Sequence, residues 1–186
     1  MQRCEIRIAG FGGQGVILAG IILGKAASLF DRKHAVMGQS FGPEARGSTC
    51  SSQVILSDEP IRYPYVRVPN VLMALSQESY NKYGPQTTDD AVVIVEEELV
   101  KPGTLSGKRK SFSIPATRMA EELGKKLVVN IVMVGFFTAV TRLLNKEAVR
   151  KAVEDSVPKG TEQLNLKAFE KGYEFGMRAA PQEAQA

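Results

Sequence analysis

The chain has 186 residues, 44% of them hydrophobic and 24% charged, with a formal charge of +4, which is the profile of one globular domain with a sizeable core. Its basic residues are dispersed apart from Lys108-Arg109-Lys110, which reads as a solvated loop, so no nucleic-acid partner is expected. Two cysteines, Cys4 and Cys50, are too few for a disulfide framework or an iron–sulfur cluster and read as buried thiols in strands. No secretory-leader pattern opens the chain, and the apolar run at 16–23 is too short and too glycine-punctuated to cross a bilayer. A reduced, cytoplasmic protein without membrane attachment is expected.

In chain order, residues 4–9 form a strand with Ile6 and Ile8 on one face, the turn Gly10-Phe11-Gly12-Gly13-Gln14-Gly15 follows, and residues 16–30 have helical spacing. A short strand at 34–37 leads into a polar loop at 38–47, and 49–57 alternates as a strand closed by the turn Ser57-Asp58-Glu59-Pro60. The apolar runs at 71–75 and 91–95 have the look of buried parallel strands. Between them, 76–83 is predicted helical, with Ser76 as N-cap, Ser79 near N3 and an end before Gly84-Pro85.

A weaker strand is predicted at 111–114, and Pro115 opens a helix at 116–123 that Gly124 ends. A last short strand is expected at 127–129, with Asn130 capping a long apolar helix through Leu144. Two further helices follow at 146–156 and 164–179. Strands alternating with helices predict an α/β fold: one three-layer domain over 1–180, a mostly parallel sheet with helices on both faces, and a disordered tail at 181–186. The hairpin-like 49–61 segment is the expected antiparallel exception.

Strand, glycine turn and helix together aim backbone N–H groups and a positive helix end at a phosphate, though a tight packing turn has the same sequence. The spacing G-x-G-x-x-G raises a dinucleotide. That reading requires a carboxylate closing the second strand, where the chain has Met37-Gly38-Gln39-Ser40, and Asp31 precedes that strand. A Walker loop requires Gly-Lys-Ser/Thr, and the chain has Gly15-Val16-Ile17. His34 is the only histidine, Glu96-Glu97-Glu98 reads as a solvated loop, and no catalytic triad can be assembled.

The second polar stretch is Ser40-Phe41-Gly42-Pro43-Glu44-Ala45-Arg46-Gly47-Ser48-Thr49. It should lie beside the glycine turn, because both emerge from the carboxyl ends of strands read as neighbours. Arg46 either offers a fork for phosphate or carboxylate or pairs with Glu44. Asn130 either lines the same cleft or only caps its helix.

These motifs, with Leu56-Ser57-Asp58-Glu59-Pro60-Ile61 and the run from Asn130 to Gly135, occur in an order that resembles the gamma subunit of the 2-oxoacid:ferredoxin oxidoreductases over roughly 3–178. The opening segment is most similar to the 2-oxoglutarate members. The resemblance implies a complex that converts a 2-oxoacid, coenzyme A and oxidised ferredoxin to acyl-CoA, carbon dioxide and reduced ferredoxin. It places thiamine diphosphate, magnesium and iron–sulfur clusters in partner alpha, beta and ferredoxin-like subunits, with ferredoxin as acceptor, and leaves the isolated chain inactive. It implies that this module helps hold coenzyme A through Gly10, Gly12, Gly13, Gln14 and Gly15, with Arg46 neutralising charge and Ser40 and Ser48 as secondary donors. Asn130 would join the same cleft. A purely structural scaffold subunit and a stand-alone dinucleotide oxidoreductase are the alternatives.

Overall fold

A computed structural model describes residues 3–41, 49–103 and 107–180, and a sheet in the order β2-β3-β1-β4-β5-β6 runs through its centre. The strands are β1 (Cys4–Phe11), β2 (His34–Phe41), β3 (Thr49–Ser57), β4 (Val71–Ala74), β5 (Val92–Glu96) and β6 (Lys110–Ile114). β1, β4, β5 and β6 pair in parallel, while β3 is antiparallel to both β1 and β2. The helices are α1 (Val16–Lys25), which continues as a π-helical segment through Phe30, then α2 (Gln77–Tyr83), α3 (Ala116–Glu122), α4 (Val129–Thr141), α5 (Lys146–Ser156) and α6 (Glu162–Ala179).

Alternation along the strands sends side chains to two unequal cores. Ile6, Ile8, Val54, Leu56, Met73 and Ile94 pack with α1, α4 and α6 through Ile22, Leu23, Phe136, Phe137 and Phe169. On the other side Ala9, Leu72, Ala74, Val93 and Val95 form a smaller cluster with Tyr80 and Tyr83 of α2 and Val100. The sheet therefore lies between helical layers, one of them much thinner. The predicted cap of α2 is present, with the Ser76 hydroxyl accepting from the Ser79 N–H at 3.2 Å.

Three expectations are corrected. The second strand does not stop at Met37: it runs to Phe41 and forms a hairpin with β3, pairing His34 with Ser57 and Phe41 with Cys50. The antiparallel exception does lie in the 49–61 segment: β3 runs against both β1 and β2, though its hairpin partner is β2 rather than a second strand within that segment. Residues 127–129 are not a strand, since a 3₁₀ turn at Lys126–Val128 passes directly into α4. Their β-branched residues suggested a strand, but the apolar run continues into α4, whose burial between the sheet and α6 takes all of it as helix. Glu96 is not solvated. It is fully buried at the end of β5, and its carboxylate accepts from the N–H groups of Glu98, Leu99 and Thr117 at 2.8–2.9 Å.

α4 and α6 approach at their backbones. A Cβ on Gly135 would meet the Phe169 carbonyl, and one on Gly172 would meet the Val132 carbonyl. Only glycine permits that spacing at these two positions.

Candidate functional site

The glycine turn lies where the carboxyl ends of β1 and β4 meet the N-terminal ends of α1 and α4. Gly13 (φ 95°) and Gly15 (φ 72°) both occupy positive φ, which glycine adopts without a Cβ penalty. Gly15 is the N-cap of α1; among the described residues no side chain caps that helix, and its first turn holds no carboxylate. Gly12 and Gly13 are exposed, and no described residue stands within 4 Å of where a Cβ on Gly13 would be. The exposed backbone of Gly12 and Gly13 thus stands just before the positive end of the α1 dipole.

Two amides brace this turn from inside. Gln14 Oε1 accepts from the Phe11 N–H at 2.7 Å, and Gln14 Nε2 donates to the Leu75 carbonyl at 2.9 Å, tying the turn to the end of β4. Gly10 makes room for that arrangement: a Cβ there would stand 2.5 Å from Gln14 Oε1 and 3.1 Å from Leu75 and Val16 side-chain carbons. Asn130 is buried in the first turn of α4 and its Nδ2 donates to the Gly15 carbonyl at 3.3 Å. It neither ends a strand nor caps its helix.

The structure therefore brings Gly10, Gly12, Gly13, Gln14, Gly15 and Asn130 together. Ser40 stands apart, because β3 separates β2 from β1, so the two strands are not neighbours as expected. Through the pairs Ser40–Ser51 and Ser51–Ala9 it sits two strand spacings, about 10 Å, from β1. It is exposed on the α2-facing side of the sheet. β2 and β1 do point the same way, so Phe41 ends at the same edge of the sheet as the turn. Arg46, Ser48 and the rest of 42–48 lie outside the described residues.

Sequence reading missed the internal use of Gln14 and Asn130. The only local signal was their amide chemistry beside glycines that a side chain would crowd. A separate cavity of about 370 Å³ opens at the other end of the sheet, lined by Cys4, Asn70, Asp90, Lys110, Thr141 and Arg142. Among the described residues no group of three or more His, Cys, Asp or Glu gathers as a metal site, and no helix is long and apolar enough to cross a membrane.

A strand–glycine turn–helix at the head of this sheet order defines a class. Residues 5–175 match the family described as pyruvate ferredoxin/flavodoxin oxidoreductase, and the chain belongs to that family in its gamma-subunit form. Within it, the chain is 52% identical over 175 residues to 2-oxoglutarate synthase subunit KorC of Methanocaldococcus jannaschii, covering 93% of this chain and 94% of that one. The keto/oxoacid ferredoxin oxidoreductase gamma subunit from Geobacter sulfurreducens has the same fold, with TM-score 0.87, 38% identity and 96% and 99% of the two chains covered. The 2-oxoglutarate:ferredoxin oxidoreductase from Magnetococcus marinus, solved with 2-oxoglutarate, coenzyme A and succinyl-CoA bound, shares the fold at TM-score 0.85 and 20% identity over 97% of this chain and 32% of that one.

Proposed function

We propose that this chain is the coenzyme-A-handling subunit of an enzyme that oxidatively decarboxylates 2-oxoglutarate, forming the acyl-CoA and carbon dioxide while reducing ferredoxin. The observation that carries this reading is the exposed Gly12-Gly13 backbone at the uncapped positive end of α1, held open by Gln14 and Asn130. Coenzyme A brings a pyrophosphate and a 3′-phosphate, and an exposed glycine backbone at a helix start with no carboxylate in its first turn suits such an anion. Arg46 is proposed to neutralise further charge, and Ser40 and Ser48 to act at the margin of the cleft. Thiamine diphosphate, magnesium and iron–sulfur clusters are assigned to alpha, beta and ferredoxin-like partners, where the carbon–carbon bond breaks and the electrons depart. The assembly is proposed to be cytoplasmic.

Isothermal titration of the assembled complex tests the phosphate role with Gly13→Ala and Gly13→Asp. Both variants carry the strain of positive φ, so their difference isolates the added negative charge. Coenzyme A should bind Gly13→Asp about tenfold or more weakly than Gly13→Ala. Equal affinity would remove the phosphate role and favour a second reading, a scaffold subunit whose turn only packs. The internal hydrogen bonds of Gln14 and Asn130 are what favour that second reading.

A further inference from the structure

The α2-facing side of the sheet is covered unevenly. α2 packs on β1 and β4, whereas the helical cover of β2 and β3 comes from α1 and its continuation on the opposite side. Directly paired residues share a face, so Gly38 of β2, Gln53 of β3 and Arg7 of β1 form one row across the sheet. No described residue stands within 4 Å of where a Cβ on Gly38 would be, and Gln53 is only half-buried. The row is a shallow groove that ends at Arg7.

Arg7 is 9% exposed, and its guanidinium carbon lies 4.6 Å from the centre of the Tyr83 ring. Lys82 Nζ lies 5.1 Å from the same centre. Arg7 Nε is buried and has no hydrogen-bond partner among the described residues. The carboxylate closest in sequence, Glu5 on the same face, is already engaged: it accepts from Arg3 at 2.8 Å and from the N–H groups of Arg67 and Val68 at 2.6 and 3.2 Å. Among the described residues no carboxylate forms an ion pair with Arg7; Glu5 acts on it only at longer range, and an aromatic face offsets only part of the cost of burying the cation. Charge complementarity therefore calls for an anion at this end of the groove.

We propose that a partner subunit docks in this groove with an acidic segment, whose Asp or Glu carboxylate pairs with Arg7 beside Tyr83. A protein segment fits better than a small anion, because the open surface extends across three strands to the edge strand β2, none of whose side chains is fully buried. The proposal rests on the chain being one subunit of a complex, but not on its handling of coenzyme A.

The test measures affinity of the full chain for the remaining subunits, and thermal unfolding of the chain alone, for Arg7→Met, Arg7→Lys and Gly38→Phe. Arg7→Met should weaken assembly about thirtyfold or more while leaving the unfolding temperature of the chain unchanged or raised. Arg7→Lys should restore part of the affinity. Gly38→Phe, which fills the groove without touching the charge, should also weaken assembly. Unchanged assembly in Arg7→Met and Gly38→Phe overturns the proposal, as does a fall in unfolding temperature that tracks the loss of assembly. An Arg7-dependent rise in unfolding temperature with inorganic phosphate, together with unaltered assembly, would identify a small-anion site instead. Titrating coenzyme A into each complex keeps failure here distinct from failure of the coenzyme A reading.

Discussion

Gly15 and Asn130 constrain each other. Gly15 has φ 72°, and a Cβ there would come within 2.9 Å of Asn130 Cβ and closer still to its amide. Gly15→Ala should therefore destabilise the chain by about 2 kcal/mol or more, combining the left-handed backbone cost with displacement of a buried amide. Urea unfolding of the two proteins measures it, and equal midpoints would refute the bracing role.

Cys4 gives a pH signature at the same scale. It is 7% exposed, and burial, helped by the charge of Glu5, pushes its thiol up from 9.0 to about 11. The folded state keeps the proton that the unfolded chain loses, so this contribution is complete below pH 9 and disappears as pH rises toward 11. The loss amounts to roughly 2–3 kcal/mol. Unfolding measured from pH 8 to 11 should fall more steeply for the native chain than for Cys4→Ala.

At the scale of elements, α4 and α6 depend on what is missing between them. Gly135 and Gly172 each face a carbonyl of the opposing helix, and Gly176 faces Ala139 and Phe136. Gly172→Ala should force the helices apart and cost about 3 kcal/mol, read as a lower urea midpoint with native secondary structure retained below it. A neutral result would show that the pair can shift at little cost.

Elements also differ in how legible they were. α5 was read to the residue, because its apolar positions fall on one face and Asn145 accepts from the Glu147 N–H at 2.9 Å as a local cap. The sequence pattern shows β2 only to Met37, because Gly38-Gln39-Ser40 belongs to an edge strand held by its hairpin with β3 rather than by burial. The 127–129 run carries strand-forming residues, yet their packing partner is another helix.

At the scale of the whole molecule, sheet order determines which ligands the turn can serve. In a dinucleotide fold the second strand lies beside the first and its final carboxylate reaches the ribose. Here antiparallel β3 occupies that place, so no such carboxylate is positioned. Added NAD should leave the unfolding temperature of the chain unchanged, and a clear rise would contradict the topology argument.

The sequence by itself determined the α/β class, the glycine turn and its helix, the cap of α2 and the family, because each rests on neighbours a few residues apart or on motifs in fixed order. Tertiary structure alone decided that β3 separates β2 from β1, that Gln14 and Asn130 brace the turn from within, and that Arg7 is buried with no ion-pair partner among the described residues. Those outcomes depend on residues 61 to 115 positions apart or on strand pairing, which no local pattern encodes.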